Sequence, residues 1–339
     1  MTTATGNIAA GTRVLVTGAT GFTGSVLTRK LVEAGVRVNA IARPSSAIDT
    51  LKDLDIQWFR GDVFDPETVR RACEGVEYVF HLAAAYRQAK ASDAMYEKVH
   101  VASTQLLANA VLEKPSFKCF VHVSTVGVHG HIDRPPADEN YAFTPGDIYQ
   151  KTKADAELWL RHFAEQKHLP FVVIRPCAIF GPGDRRLLKI FRMAARGYLL
   201  VLGRGRCLYH LVHVEDLTNM ILLSATCPSA LGEVLIAGNT DSISLMRMGE
   251  ILASHFGRKL HIIRLPVQPF FLLAAVCEAV CRPLGIEPPL YRRRVAFYTK
   301  DRAFSTRKIG EKLAYHYVYT NETGLQQTAQ WYQDQGWIK

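Results

Sequence analysis

The chain of 339 residues carries a formal net charge of +10, with 48% hydrophobic and 21% charged residues. This balance is typical of a globular protein with an apolar core, and it excludes a disordered or low-complexity chain. The positive charge favours anionic partners such as nucleotide phosphates or an anionic membrane surface, and the lack of any nucleic-acid-binding signature in the sequence argues against nucleic acid as a partner.

The N-terminal residues and the cysteines bear on where the protein resides. The stretch MTTATGNIAAGTRVLV lacks the basic start and the long apolar run of a secretory signal. The seven cysteines are scattered, and no Cys/His cluster in the sequence has zinc spacing. We therefore expect a reduced, cytoplasmic setting, cysteines that belong to the core, and no bound metal.

A strand, a glycine-rich turn, a helix and a second strand open the predicted fold. The run RVLV is typical of a buried parallel strand, and VRVNAIA predicts the next one after a helical pattern that stops at Gly35. In this context the glycines of the turn let the backbone approach a pyrophosphate, and the helix N-terminus offers free N–H groups. The predicted cofactor-binding residues of the turn are Gly18, Thr20, Gly21, Phe22, Thr23 and Gly24.

The end of the second strand bears on the choice of cofactor. A strand end that binds a ribose 2′-hydroxyl needs an acceptor, usually Asp or Glu. Here the strand is followed by Arg43 and then by Ser45 and Ser46. A cation and two hydroxyls suit a 2′-phosphate, so NADP(H) is favoured over NAD(H), which stays an alternative. A merely solvated arginine is the other interpretation of Arg43.

The next two strand ends are predicted to complete the cofactor site. Asp62 and Val63 follow the strand in IQWFRGDVFD and are placed to meet the adenine. The strand in VEYVFHLAAAY ends in Ala83, Ala84 and Ala85. Small residues at this position leave room for a cofactor to lie across the strand ends.

The stretch IYQKTKADAELW reads as a helix and places Tyr149 and Lys153 four residues apart. Residues i and i+4 share a helix face, so the two can act together in proton transfer. The predicted cofactor in front of them favours that interpretation over an aromatic and a lysine on a solvated face. The same helix is predicted to expose Gln150, Lys151 and Glu157 to solvent.

Six motifs recur in an order that resembles the extended short-chain dehydrogenases/reductases: TGATGFTG, GDVFD, HLAAA, VSTVGV, Tyr149-x-x-x-Lys153 and RPCAIFGPGD. The resemblance runs from about Thr12 to the C-terminus. It implies an α/β fold, a Rossmann doubly wound parallel sheet with a smaller, discontinuous C-terminal substrate-binding domain. The implied division is 11–180 for the NAD(P)-binding domain, with 206–237 returning to it, and 181–205 and 238–339 for the substrate-binding domain, including an apolar helix around 269–281.

The resemblance also implies catalytic roles. Tyr149 would be the general acid/base at the carbinol oxygen while hydride moves to or from the nicotinamide. Lys153 would lower the tyrosine pKa toward the working pH and hold the nicotinamide ribose. The hydroxyl that binds the substrate oxygen aligns best with Thr125, and Ser124 is the alternative.

Three further positions follow from the resemblance. Pro176 and Cys177 would lie against the nicotinamide face. Many family members carry an Asn that supports the lysine through a helix bulge and water, and the aligned residue here is His100. This departure leaves the role of His100 open.

The substrate is indicated by what the chain lacks and by its C-terminal part. Val126 and Gly127 stand where the family's dehydratases carry an Asp–Glu pair, so dehydration is not expected. RPCAIFGPGD lacks the Asn typical of sugar-nucleotide epimerases, and the C-terminal pattern resembles the 3β-hydroxysteroid dehydrogenase and sterol-4α-carboxylate 3-dehydrogenase branch. Arg185 or Arg186 could hold a substrate carboxylate, or both are solvated.

The resulting expectation is an NAD(P)-dependent oxidoreductase that interconverts a secondary alcohol and a ketone on a bulky lipophilic substrate. A sterol 3β-hydroxyl is favoured, and decarboxylation of a 4α-carboxylate is one form of this expectation. A nucleotide-sugar epimerase and a non-catalytic NADP-binding scaffold are the alternatives.

The apolar segment from Phe270 to Arg282 is too short to span a bilayer, which needs about 20 apolar residues. With the basic cluster at 292–294 it suits a peripheral membrane contact through 269–294, but a core or dimer helix and a lid over the substrate are alternatives. The resemblance implies a homodimer through the helices that carry the Tyr–Lys pair.

Overall fold

The computed structural model describes residues 8–85, 92–281, 288, 290, 295 and 301–338. Within these residues the main feature is a seven-stranded parallel sheet, whose strands are β1 Arg13–Thr17, β2 Arg37–Ala42, β3 Ile56–Arg60, β4 Tyr78–His81, β5 Cys119–Val123, β6 Phe171–Pro176 and β11 Val234–Ala237. Their order across the sheet is β11-β6-β5-β4-β1-β2-β3. The predicted doubly wound parallel sheet is confirmed.

The chain reverses its direction of travel across the sheet at β1. From β1 it passes to β2 and β3 on one side, and then returns to β4 on the other side of β1. The carboxyl ends of β1 and β4 therefore form a topological switch point, the crevice where open α/β sheets bind their ligands. Gly18 follows the first of these ends and Leu82 the second.

Helices cover both faces of the sheet, as the alternation of buried side chains along β1 requires. Val14 and Val16 face a cluster that includes α1 and α7, whereas Leu15 faces α2, α4 and α5. The helices are α1 Phe22–Glu33, α2 Pro66–Ala72, α3 Asp93–Glu97, α4 Ser103–Leu112, α5 Ile148–Lys167, α6 Leu188–Ala195, α7 Val214–Thr226, α8 Leu245–His255, α9 Val267–Cys281, α10 Arg307–Leu313 and α11 Asn321–Asp334.

A second apolar cluster lies apart from the sheet and is built from α6, α8, α11 and short strands. These strands are β7 Ala178–Phe180, β8 Tyr198–Leu202, β9 Leu208–Tyr209, β10 Leu211–His213, β12 Ile243–Ser244 and β13 His261–Leu265. Helix α10 instead joins the sheet cluster through Ile309 and Leu313. The division into domains at the residue numbers given above stays a prediction.

The cysteines follow the core prediction in part. Cys73, Cys119, Cys177 and Cys207 are buried, and Cys227, Cys277 and Cys281 are half-buried. Burial raises the pKa of the Cys73 and Cys119 thiols to about 12, so these two behave as small apolar groups rather than nucleophiles.

Candidate active site

The glycine turn after β1 leaves the start of α1 open. Gly18 has φ +74°, and a Cβ there would lie 2.9 Å from the Ala83 nitrogen, so only glycine fits. Helix α1 begins at Phe22 with Gly21 as its N-cap, and no described side chain caps it. Its first N–H groups and the positive end of its dipole are thus available to a phosphate. The turn fits the pyrophosphate of a dinucleotide.

The loop after β2 holds the predicted 2′-phosphate residues at the surface. Arg43 and Ser45 are exposed, and Ser46 donates its N–H to the Arg43 carbonyl at 2.9 Å. Arg60, at the end of β3, donates to the Pro44 carbonyl at 2.7 Å. Arg60 was missed in the sequence, where it reads as the polar end of a strand. It places a second guanidinium beside the loop.

Asp62 and Val63 follow β3, at the same edge of the sheet as the glycine turn. Asp62 is half-buried and Val63 is buried among apolar residues. Parallel strands end at one edge, so these residues and the glycine turn share the cofactor side of the sheet.

The alanine segment after β4 is fixed at both ends by side chains. The Ala83 N–H donates to Thr17 Oγ1 at 3.2 Å, and the Ala85 N–H donates to His100 Nε2 at 3.0 Å. The segment lies next to Gly18, because the Cβ that Gly18 lacks would meet Leu82 and Ala83. The predicted small strand end is therefore rigid and adjacent to the pyrophosphate turn.

Helix α5 brings Tyr149 and Lys153 to the neighbouring strand end. Asp147 caps the helix by accepting the Gln150 N–H at 2.7 Å. Lys153 is 1% exposed and donates from Nζ to the Val123 carbonyl at 2.6 Å, directly before the Ser124–Thr125 pair. Burial lowers the pKa of Lys153 to about 8, against the opposing effect of the Glu157 carboxylate. The lysine is thus neither solvated nor free to move.

The two candidate hydroxyls after β5 have different surroundings. Thr125 is half-buried and starts the 3₁₀ turn Val126–His129, where its Oγ1 accepts the Gly127 N–H at 3.0 Å. Its hydroxyl proton is still available for a ligand. Ser124 is buried and donates from Oγ to Glu157 Oε2 at 2.7 Å. This geometry favours Thr125 over Ser124 as the hydroxyl that meets a substrate.

Residues 14–238 match the model of the NAD dependent epimerase/dehydratase family. The chain belongs to this family. Its members and relatives are NAD(P)-dependent enzymes acting on CH–OH groups, and the chain is an extended short-chain dehydrogenase/reductase of this class. The resemblance inferred from the motifs is thereby confirmed.

Three known proteins illustrate what this member of the NAD-dependent epimerase/dehydratase family is similar to. 3beta-hydroxysteroid-dehydrogenase/decarboxylase isoform 1 of Arabidopsis thaliana is 25% identical over 93% of this chain and 78% of its own length. Ceramide reductase of Caulobacter vibrioides is 26% identical over 96% of both chains. The crystal structure of gox2253 gives a TM-score of 0.79 at 28% identity and covers 96% of this chain and 99% of that one.

A buried ion pair lies behind the candidate site of this family member. Glu157 is fully buried, and both of its carboxylate oxygens accept from Arg175, with Nε at 3.1 Å from Oε2 and Nη2 at 2.5 Å from Oε1. Arg175 also donates to the Glu139 carbonyl at 2.8 Å. Removing the Glu157 carboxylate would leave the Arg175 guanidinium buried without its carboxylate partner, a loss of about 3–5 kcal/mol.

The prediction that Glu157 is solvated was therefore wrong. Glu157 is four residues from Lys153 and eight from Tyr149, so it shares their buried face rather than the face of Lys151, which is exposed and pairs with Asp155. The sequence signal was Arg175, a charge on a buried strand that needs a partner. Gln150 is half-buried, and its side chain accepts the Gly146 N–H.

His100 lies beside the candidate pair, in a π-helical turn from Lys98 to Ala102. Its ring meets that of Tyr149 edge to face, with the ring centroids 5.4 Å apart. His81 and His122 lie deeper in the sheet, with ring centroids 5.4 Å apart, and burial lowers the pKa of both.

Pro176 and Cys177 lie at the carboxyl end of β6. Both are buried, and the Cys177 N–H donates to the Ala237 carbonyl at 2.8 Å. Burial raises the pKa of the Cys177 thiol well above its usual value, so it is a packing group rather than a thiolate.

The two arginines considered for a substrate carboxylate contact other groups. The Arg186 guanidinium lies over the Phe22 ring at 5.5 Å and donates to Asp184 at 2.7 Å. Arg185 lies over the Trp337 ring at 5.0 Å. Arg186 therefore reaches the start of α1, whereas Arg185 packs on the C-terminal part of the chain.

Helix α9 presents an apolar face to solvent. Leu272 is 70% exposed, and Leu273, Val276 and Val280 are each more than half exposed, while Ala274 and Glu278 face inward. Among the described residues no helix is long and apolar enough to cross a membrane. The basic cluster at 292–294 lies outside the described residues.

Proposed function

We propose that the protein moves a hydride between NADP(H) and a secondary alcohol or ketone on a bulky lipophilic substrate of the sterol 3β-hydroxyl type. One observation carries the proposal. The buried Lys153 donates to the Val123 carbonyl, two residues before Thr125, and the half-buried Tyr149 lies one helical turn before Lys153 in a dinucleotide fold. Val126 and Gly127 supply no further acid or base beside them. This set suits alcohol–ketone interconversion.

The roles follow from the positions of these groups. The nicotinamide, when bound, donates or accepts hydride. Thr125 donates a hydrogen bond to the substrate oxygen, and Tyr149 gives or takes the proton on that oxygen. Lys153, held by the Val123 carbonyl, presents a positive charge that favours the tyrosinate form. The first turn of α1 and Arg43 hold the phosphates, and Ala83–Ala85 leave room for the ring.

Two observations support the substrate class: the chain lacks the acidic residues of a dehydratase, and two relatives are named for lipid substrates. The chain lacks the dehydratase acids at Val126 and Gly127. Oxidation of a 3-hydroxyl beside a 4-carboxylate gives a β-keto acid, which loses carbon dioxide readily, so a decarboxylating enzyme needs no residue beyond those named. The names of the Arabidopsis and Caulobacter relatives both refer to lipid substrates. A nucleotide-sugar epimerase is the second candidate, since the family includes such enzymes.

A substrate panel tests the proposal. Purified protein is given either nicotinamide cofactor and, in turn, 3β-hydroxysterols with and without a 4α-carboxylate, lipophilic ketones, and UDP-sugars, while the absorbance of the reduced cofactor is followed. The proposal predicts net cofactor turnover with a lipophilic member and free exchange of the cofactor. Conversion of a UDP-sugar by protein that retains its cofactor would establish the epimerase instead, and turnover with no member would favour a scaffold.

The NADP(H) preference predicts the effect of changing Arg43. Arg43→Asp puts a carboxylate beside the 2′-phosphate, so we expect about tenfold or more weaker NADPH binding and unchanged or tighter NADH binding. Fluorescence titration of both cofactors measures this. Arg37→Asp, exposed at the opposite end of the same strand, is the matched control. Tighter binding of NADH than of NADPH by the wild type, or NADPH binding that Arg43→Asp leaves intact, would contradict the assignment.

We further propose that α9 contacts an anionic membrane surface. Its outer face carries Leu272, Leu273, Val276 and Val280, and the charged residue of the helix, Glu278, is buried on the opposite side. The helix packs on Leu202 and Leu265. Exposed arginines lie close to both leucines in sequence, Arg204 and Arg206 after Leu202 and Arg264 before Leu265. An apolar face with cations beside it complements anionic headgroups. A lipophilic substrate would be taken from the same surface.

Charged substitutions on α9 test the membrane proposal. Leu272→Asp with Val276→Asp is expected to abolish co-sedimentation with vesicles that contain anionic lipid, because two carboxylates would have to enter the apolar boundary. Turnover of a detergent-solubilised substrate is expected to persist. Leu231→Asp, at a leucine outside α9 that is 45% exposed, serves as control. If the wild type ignores vesicles, or if the double variant still binds them, the outer face belongs to a lid or a protein contact.

A homodimer through α5 is also proposed. Leu158 on this helix is 48% exposed. Trp159 follows it directly and stacks on Phe163, four residues further along the helix, with the ring centroids 4.7 Å apart. An exposed leucine beside an aromatic stack suits helix–helix contact with a second copy.

A further inference from the structure

His100 is fixed from both sides by hydrogen bonds. The side chain is 1% exposed, Nε2 accepts the Ala85 N–H at 3.0 Å, and Nδ1 lies 2.7 Å from Thr152 Oγ1. A backbone N–H can only donate, so Nε2 carries no proton and Nδ1 does. Thr152 accepts this proton and donates its own to the Ile148 carbonyl at 2.8 Å. One tautomer is thereby selected.

The two bonds connect the two halves of the candidate site. Ala85 belongs to the strand-end segment predicted to lie under the cofactor. Thr152 and Ile148 belong to the first turn of α5, which also carries Tyr149, and the Tyr149 ring meets the imidazole edge to face. The π-helical turn at Lys98–Ala102 adds a residue to the helix ladder at this point, a feature that is frequent at functional sites.

His100 is a fixed link rather than an acid or base. Burial, with a further contribution from the Lys153 charge, lowers its pKa to about 2. Protonation would also place a second N–H against the Ala85 N–H. The titratable groups near the ring from other elements are Tyr96 on α3, Tyr149 and Lys153 on α5, and His81 on β4. Of these, Lys153 and His81 disfavour a charge on the ring.

We propose that His100 is a positioning residue that couples the cofactor-side segment at Ala85 to the orientation of Tyr149. The inference rests on the proposed function, because it takes Ala83–Ala85 as the cofactor edge and Tyr149 as the proton donor. Occupancy of the cofactor side would then be transmitted through one neutral imidazole to the first turn of α5.

Two amide substitutions separate the two bonds. An Asn amide nitrogen can replace Nδ1, so His100→Asn keeps the hydrogen bond to Thr152 and loses the hydrogen bond from the Ala85 N–H. A Gln amide oxygen reaches the place of Nε2, so His100→Gln keeps the bond to Ala85 and loses Thr152. His100→Phe keeps the ring and loses both bonds. His162→Phe, an exposed histidine on α5, is the matched control.

Each variant is measured for NADPH affinity by fluorescence, for the pH profile of kcat, and for Tm. His100→Asn is expected to weaken NADPH binding about tenfold with kcat largely kept, since a buried N–H loses its acceptor. His100→Gln is expected to keep NADPH affinity, lower kcat about tenfold and shift the pH profile. His100→Phe should show both effects, and His162→Phe neither.

Thr152→Val provides a second test if the His100 variants fold poorly. It is nearly isosteric and removes the acceptor for Nδ1–H, so it should reproduce the kcat and pH-profile change of His100→Gln with NADPH affinity intact. The proposal would be overturned if His100→Asn and His100→Gln lost NADPH affinity and kcat equally, in proportion to their fall in Tm, and kept a wild-type pH profile. His100 would then have only a packing role. NADPH affinity is measured without substrate. A wrong substrate assignment would therefore show as no turnover in the substrate panel, while the affinity measurements would stay valid.

Discussion

Tyr149→Phe is expected to lower kcat by about 10²–10⁴-fold, the usual contribution of a positioned general acid or base. The change removes one oxygen and leaves the ring against His100, so the fold and the NADPH dissociation constant should change little. Turnover is followed as cofactor absorbance with the best substrate of the panel. Tyr198→Phe, at a half-buried tyrosine on β8, is the control and should behave as wild type.

Two results would contradict the role of Tyr149. If Tyr149→Phe turns over as fast as wild type, the proton comes from another group. If the variant loses NADPH binding in step with kcat, Tyr149 holds the cofactor and its oxygen is not shown to transfer a proton. A Thr125→Val variant that is also impaired, against an active Ser124→Ala variant, would support the assignment of the hydroxyls.

Lys153→Met is expected to abolish turnover and yet to raise the free energy of unfolding of the cofactor-free protein near pH 7. Burial lowers the pKa of Lys153 from 10.5 to about 8, so the folded protein holds a charge that is more stable in the unfolded chain. A shift of about 2.5 units corresponds to about 3 kcal/mol. Loss of the hydrogen bond to the Val123 carbonyl lowers the free energy of unfolding by about 1 kcal/mol, so the net increase in Lys153→Met is about 2 kcal/mol.

The pH dependence of this gain has a definite sign. Between pH 8 and 10.5 the unfolded chain holds more protons at Lys153 than the folded chain, so the contribution of this residue to stability rises with pH. Below that window both states are protonated and the full penalty applies. Denaturant unfolding of wild type and Lys153→Met should therefore differ most near neutral pH and converge as the pH rises through the window.

Lys167→Met, an exposed lysine on the same helix, is the control and should change stability by less than about 1 kcal/mol at any pH. A Lys153→Met protein that is less stable than wild type near pH 7 would mean that the ammonium is stabilised in the fold. The account of Lys153 as a residue kept at a cost in stability would then be wrong.

The sequence was most informative where function depends on neighbouring residues. The glycine turn, the alanine strand end and the Tyr149–Lys153 spacing are local patterns, and the structure places them around one switch point. Glu157 was misread because its helix looks polar in sequence, and its partner Arg175 lies on a strand beyond the helix. A buried ion pair between separate elements leaves no periodic signal.

Two other features needed coordinates for a similar reason. The bond from Arg60 to the loop at Pro44 joins two strand ends that are distant in sequence. The bonds of His100 to Ala85 and Thr152 depend on the π-helical turn, which shifts the register of the ring and follows from packing rather than from helix propensity. The exposure of one face of α9 also depends on tertiary packing, because an apolar run in the sequence is equally compatible with a buried core helix.

Hydride transfer between the nicotinamide and a carbon of a lipophilic substrate can be followed with an isotopic label. The experiment uses NADPH that carries deuterium at either face of the nicotinamide C4, a ketone that turns over in the panel, and mass spectrometry of the product. We expect one of the two labelled cofactors to place a single deuterium on the carbinol carbon, and Tyr149→Phe to suppress this transfer. Product without label from both cofactors, or an epimerised product with no cofactor consumed, would contradict it.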